Sequence, residues 1–191
     1  MPDYFPAFLD LRGRRCLVVG GGEIGERKAR ALLDCGARVT VVSLSFTPQL
    51  AALAEGGQVE CRARTLRRSD LRACALVVAA TGHPLVDEAT AVLARRCRVL
   101  VNVVDRRDHC DFIMSSVLRR GELQIAVSTG GRSPALAREI RLRLEGLFGP
   151  EYAALVERAG ADRRRARAIA VTAADRLAAG ERVARLALIE R

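Results

Sequence analysis

Tryptophan is absent, two Tyr and five Phe are the remaining aromatics, and together they make up 4% of the 191 residues. Aromatic platforms for stacking nucleic-acid bases are therefore scarce, and no base-reading motif is present, so nucleic acid is not the expected partner. Only two His occur, and the six cysteines (Cys16, Cys35, Cys61, Cys74, Cys97, Cys110) show no CxxC spacing. That pattern matches no familiar zinc motif: small buried thiols in a reducing cytoplasm, with no resident metal, are expected, with disulfides or a zinc site as the alternative. Apolar runs are short and interrupted, well under the roughly 20 residues of a membrane span. The first ten residues lack the basic start and long apolar core of a secretory leader. A soluble, cytoplasmic protein is expected. Lysine is nearly missing too: Lys28 stands alone among 32 basic residues. Arginine supplies the rest and leaves a formal charge of +10. The excess favours an anionic partner. A small polyanion is the other candidate beside nucleic acid, and composition alone does not choose between them.

What is present is an alternation of apolar runs and helical segments. Cys16–Val19 is a continuous apolar run, as in a strand buried on both faces. A glycine-rich turn follows, then a helix turning Ala29, Leu32 and Leu33 inward and ending at Gly36. Arg38–Val42 completes a βαβ unit. Further expected elements are a helix over Leu50–Ala54, strands at Val59–Ala63 and Ala75–Ala80, a helix over Val86–Arg95, and a strand at Arg98–Val104. Strands spaced by helices imply an α/β fold with a mainly parallel, Rossmann-type sheet. Beyond it, Leu123–Ser128 reads as a sixth strand. Ser133-Pro134, a natural N-cap and first helical residue, opens a helix that Phe148-Gly-Pro150 breaks. Leu136, Ile140, Leu144 and Leu147 share one stripe of that helix. Residues 151–191 are helical in character, with breaks expected near Gly160 and Gly180.

Gly20-x-Gly22-x-x-Gly25 lies between the first strand and its helix, the context in which such a motif binds a dinucleotide pyrophosphate. The end of the second strand carries Ser43-Leu44-Ser45, without the acidic residue common in NAD-preferring domains and without an Arg for an NADP phosphate. Leu44 and Ser45 can meet the ribose edge, which leans towards NAD. Asn102-Val-Val-Asp105 ends another strand, where ligands of such sheets bind. Asp105 there is either a general base or the cap of the following turn. Ser128-Thr129-Gly130-Gly131-Arg132-Ser133-Pro134 runs into a helix N-terminus. Its amides and hydroxyls, with Arg132, form a candidate carboxylate site or an ordinary capped turn. His83 and His109 fall in loops and are expected to be solvated.

Taken together these motifs resemble the precorrin-2 dehydrogenase and sirohydrochlorin ferrochelatase family, the N-terminal module of bifunctional siroheme synthases. The resemblance runs over about residues 4 to 150. It rests on Tyr4-Phe5-Pro6 and Leu9-x-Leu11, on Val18–Arg30 with its GGGEIGERKAR run, and on Phe46-x-Pro48-Gln49 and Ala79-Ala80-Thr81. Asn102–Asp105, Asp111-Phe-Ile-Met114 and Ser128–Arg138 complete it. It implies NAD held by Gly20, Gly22, Glu23, Ile24 and Gly25, with Leu44, Ser45 and Thr81, and Asp105 serving both dehydrogenation and chelation. It implies substrate contacts at Ser128, Thr129, Gly130, Arg132 and Ser133. Some members carry a phosphorylatable serine at the position of Ser128 or, by closer equivalence, Thr129. Gly25 stands where many members have Ala, an exchange expected to leave cofactor binding intact.

The implied organisation is an NAD-binding Rossmann domain over 1–113, a small α/β dimerisation segment over 114–149 and a helical C-terminal domain over 150–191. The implied activity is NAD-dependent oxidation of precorrin-2 to sirohydrochlorin in siroheme biosynthesis, by a homodimer. Insertion of Fe2+ (or Co2+) as substrate metal is a second implied activity. A polycarboxylate substrate suits the net charge and Arg132, Arg138 and Arg141. No methyltransferase domain follows, so a separate methyltransferase is expected to supply precorrin-2. The alternatives are a dehydrogenase without chelatase activity and a non-catalytic NAD-sensing regulatory domain, which would need neither Asp105 nor the Ser128–Pro134 turn.

Overall fold

The computed structural model describes residues 4–169 and 172–189. Met1–Asp3, part of the stretch read for a leader, and residues 170–171 and 190–191 of the helical region lie outside them. Two compact units emerge, Met1–Met114 and Ser115–Arg191.

The first unit is a five-stranded, all-parallel sheet: β1 (Arg15–Val19), β2 (Arg38–Ser43), β3 (Val59–Ala63), β4 (Cys74–Ala79) and β5 (Leu100–Val103), in the order β3-β2-β1-β4-β5. Helices α1 (Glu23–Leu33), α2 (Pro48–Glu55) and α3 (Pro84–Arg96) cover it. The apolar runs are continuous because both faces are buried. Cys16 and Val18 join Ala29, Leu32 and Leu50 on one face. Leu17 and Val19 join Ala91, Ala94 and Leu71 on the other. Chain order reverses between β1 and β4, the switch point where ligands of such sheets bind.

The second unit holds a two-stranded antiparallel sheet, β6 (Ser116–Arg120) with β7 (Leu123–Val127), then α4 (Pro134–Leu147), α5 (Tyr152–Ile169) and α6 (Ala173–Ile189). Strand β6 escapes a pattern-based reading, since Ser-Val-Leu-Arg-Arg has neither a long apolar run nor clean alternation. Its signal is the two-residue turn with Gly121 at φ 56°. The breaks expected at Gly160 and Gly180 are not there: both lie within helices, α5 ending at Ile169 and α6 beginning at Ala173. One glycine costs a helix only about 1 kcal/mol against alanine, which good helix-forming neighbours offset. Ser133 caps α4 as expected, its hydroxyl accepting the Leu136 amide at 3.2 Å with Pro134 in the first turn. Within the unit, Ala137 is the buried residue of α4, whereas Leu136, Ile140 and Leu147 stay exposed.

Candidate active site

The glycine loop leaves the carboxyl end of β1 beside that of β4. The Gly20 amide donates to Val42 O at 2.9 Å and the Ala80 amide to Val19 O at 2.8 Å, so the loop is stitched to both neighbouring strands. Gly20 has φ 116°, and a Cβ there would run into the Ala80 carbonyl. A Cβ on Gly21 would strike Ser45 O, and one on Gly25 would strike Gly20 O. Alanine at position 25 therefore needs a shift of the loop in this chain. Gly22 differs. It is the N-cap of α1, with φ −78° and ψ −176°, and a Cβ there meets nothing within 4 Å. Open space thus lies over the first amides of α1 at Glu23, Ile24 and Gly25, which have no partner within a helix and favour an anion.

A clamp that sequence reading missed holds this loop. Thr47 donates its hydroxyl to Glu26 of α1 at 2.7 Å, its amide to Gly21 O at 2.9 Å, and accepts the Leu50 amide at 3.1 Å. Thr47 therefore caps α2 and fastens it to the glycine loop. Glu26 also pairs with Arg30 at 2.9 Å, and the Thr47 and Arg30 bonds hold its carboxyl below the usual range. The pair Thr47-Pro48, a cap followed by a first-turn proline, was the available signal. Leu44 and Ser45 follow β2 and are exposed. Thr81, after β4, gives its amide and hydroxyl to Asp87 Oδ1 at 3.1 and 2.8 Å. Asp87 is buried, so Thr81 is held by a carboxylate one turn into α3.

Asp105 follows β5 at the same end of the sheet. It is exposed and has φ 59°, a left-handed conformation that costs a non-glycine residue free energy and that clusters at functional sites. Among the described residues nothing donates a hydrogen bond to its carboxylate, so the turn-cap role is not seen. The following loop folds back onto β5. Asn102 Nδ2 donates to Phe112 O at 2.9 Å, and the Asp111 amide donates to Val101 O at 2.8 Å. Cys110 Sγ donates to Val103 O at 3.2 Å, and burial pushes its thiol up. His109 is half-buried, with Nε2 at 2.9 Å from Arg106 and 3.3 Å from Asp108, rather than solvated. His83 is exposed, as expected. Lys28 of α1 is half-buried; burial lowers its pKa, and the nearby Asp105 carboxylate opposes that shift.

The Ser128–Ser133 turn belongs to the second unit. Thr129 Oγ1 donates to Ser133 O and accepts the Ser133 amide, both at 3.0 Å. Ser128 Oγ accepts the Gly130 amide at 3.0 Å. Gly130 and Gly131 have φ 62° and 77°. The hydroxyls of Thr129 and Ser133 thus serve the turn itself, while Ser128 and Arg132 are exposed. Among the described residues no cluster of His, Cys, Asp or Glu could hold a metal ion, and no helix is long and apolar enough to cross a membrane.

Known proteins resemble this chain over most of its length. The family described as "Putative NAD(P)-binding" matches residues 7–116, and the one described as "Sirohaem biosynthesis protein central" matches residues 120–147. The siroheme synthase of Methylococcus capsulatus is 42% identical over 165 residues, 86% of this chain and 35% of that protein. That of Nitrosomonas eutropha is 44% identical over 154 residues, 80% of this chain and 32% of the relative. The Escherichia coli siroheme synthase is 44% identical over 146 residues, 76% and 32% of the two. The chain spans about a third of the length of these curated relatives. The solved structure of SirC, a precorrin-2 dehydrogenase, superposes with a TM-score of 0.74 at 24% identity, covering 94% of this chain and 89% of that one, which shows a shared fold. The chain belongs to the family described as "Putative NAD(P)-binding", whose match spans more than half of it.

Proposed function

We propose that this protein oxidises precorrin-2 to sirohydrochlorin with NAD. The observation that carries the reading is the exposed Asp105 carboxylate beyond β5, which accepts no hydrogen bond among the described residues and lies at the same end of the sheet as the Gly20–Gly25 loop. The residues fit a dinucleotide: a cradle that a Cβ would fill at Gly20 and Gly25, open space at Gly22, and an exposed Leu44-Ser45 edge without an Arg for a 2′-phosphate. When bound, NAD supplies the hydride acceptor. Asp105 takes the proton that leaves with the hydride. Lys28 lies near it, and the Asp105 charge opposes the burial that lowers the Lys28 pKa. Ser128, Thr129, Gly130, Arg132 and Ser133 form a carboxylate-binding turn for the substrate, with the exposed Ser128 and Arg132 side chains making the direct contacts.

The same carboxylate serves chelation, in which Fe2+ or Co2+ replaces the two pyrrole protons of sirohydrochlorin and Asp105 accepts protons released from the ring. The protein works as a homodimer built through 114–149, a reading supported by the exposed Leu136, Ile140 and Leu147 of α4. It works in the cytoplasm, where the thiols of its six cysteines would stay reduced. Anaerobic incubation with precorrin-2 and NAD, with and without Fe2+ or Co2+, tests this. NADH absorbance with sirohydrochlorin formation is expected, followed by metal-dependent conversion. Dinucleotide binding without turnover would reduce the protein to a sensor.

A further inference from the structure

At the amino-terminal end of the sheet, opposite the glycine loop, two segments run side by side into paired strands. Arg68–Leu71, a single 3-10 turn, leads through Arg72 and Ala73 into β4, and the end of α3 leads through Cys97 and Arg98 into β5. Between them lies an open concavity of about 580 Å³, lined by Arg68, Arg72, Arg96 and Arg98. Strands of four to six residues rising about 3.3 Å each separate it from the dinucleotide end by roughly 13–20 Å.

Three observations single it out. None of the four guanidinium groups has a carboxylate partner among the described residues, whereas the adjacent Arg95 bonds Asp111 at 3.0 Å. The negative end of α3 accounts for Arg96 but not for Arg68 or Arg72 on the facing segment. Second, the segment carrying Arg68 and Arg72 is rigidly held. Asp70, buried between them in sequence, accepts from Arg64 at 2.7 Å, from Arg62, and from the Arg67 amide at 2.8 Å. The turn thus turns its carboxylate inward, already neutralised, and leaves its outward arginines without a counter-charge. Third, three non-glycine residues among those described have left-handed φ, and two of them, Ala73 at 55° and Arg98 at 56°, line this concavity. The third is Asp105. Such conformations persist where the surroundings over-determine them.

We propose that this concavity is a second anion site, distinct from the dinucleotide cleft, for a small ligand bearing at least two carboxylate or phosphate groups. Arginine forks match both groups in two-pronged fashion, and four of them around one hollow exceed what a single charge needs.

The test is calorimetric titration of the protein with inorganic pyrophosphate and, separately, citrate at low salt, the two probes distinguishing phosphate from carboxylate preference. Saturable, salt-sensitive binding of at least one probe is expected. Arg72→Ala/Arg96→Ala should weaken it at least tenfold while dinucleotide affinity is unchanged. Arg68→Gln/Arg98→Gln provides an independent pair should the first variant fold poorly. Equal binding by wild type and both pairs would locate the anion elsewhere and overturn the proposal, as would the absence of saturable binding to either probe.

Discussion

Replacing Gly22 by aspartate probes the dinucleotide loop without disturbing it. The position has extended backbone angles that any residue adopts and empty space where a Cβ would go. Asp is also a better N-cap than Gly, by a few tenths of a kcal/mol, so the fold should hold or gain slightly. The new carboxylate would take amides that a pyrophosphate needs and set a like charge beside it. At about 5 Å, two unit charges repel by roughly 1 kcal/mol in water and roughly 3 kcal/mol at the effective dielectric of a protein surface. NAD affinity should therefore fall at least tenfold, about 1.4 kcal/mol. Calorimetry with NAD, paired with a thermal melt, reads both quantities. An unchanged Kd with an unchanged melting temperature would refute the assignment of the loop. Gly25→Ala would be a poorer probe, because its Cβ strikes Gly20 O and moves the loop before any ligand arrives.

Asp70→Asn should destabilise the first unit by about 3 kcal/mol in urea unfolding, since Arg62 and Arg64 lose a buried, fully hydrogen-bonded charge. Those arginine contacts hold the Asp70 carboxyl well below the usual range. The stabilisation is therefore complete above about pH 4 and is lost as pH falls further, so the gap between wild type and Asp70→Asn should narrow only under acid. Thr47→Ala removes the α2 cap and the Glu26 bond. A loss of about 1 kcal/mol and weaker NAD binding are expected, both restored by Thr47→Ser, and unchanged unfolding would show the clamp to be idle. Sedimentation at micromolar concentration should show a dimer that Leu136→Glu/Ile140→Glu dissociates; a wild-type monomer would remove the case for an interface through α4.

The parallel sheet was legible because its inner strands β1 and β4, with most of β2 and β5, are short apolar runs buried on two sides between turns and helices, and the edge strand β3 follows at the expected spacing. Gly20–Gly25 was legible for the same reason: its meaning comes from the strand before it and the helix after it. Strand β6 was not, because Arg119 and Arg120 leave only Val117 and Leu118 as an apolar pair and the partner strand supplies the rest of its order. The breaks expected at Gly160 and Gly180 overrated glycine, whose helix penalty is small beside a run of alanine and arginine. Nor does local pattern reveal Asp70. In Arg67-Arg68-Ser69-Asp70 it looks like a solvated charge, and only the return of β3 brings Arg62 and Arg64 onto it. Thr47–Glu26 and Thr81–Asp87 are likewise contacts between distant or turn-separated residues that fix the loop without belonging to any motif. Asp105 stood between base and cap on sequence alone; among the described residues no hydrogen bond to its carboxylate marks a cap, and its role as base remains the proposal made above.

The most direct test of the account is the anaerobic rate of NADH formation from precorrin-2 and NAD in Asp105→Asn against wild type, with NAD affinity measured on both. General-base help is worth about 10²–10⁴ in rate, so turnover should fall at least a hundredfold while the Kd for NAD stays the same. Near wild-type turnover by Asp105→Asn would contradict the assignment of Asp105 as the group that takes the proton.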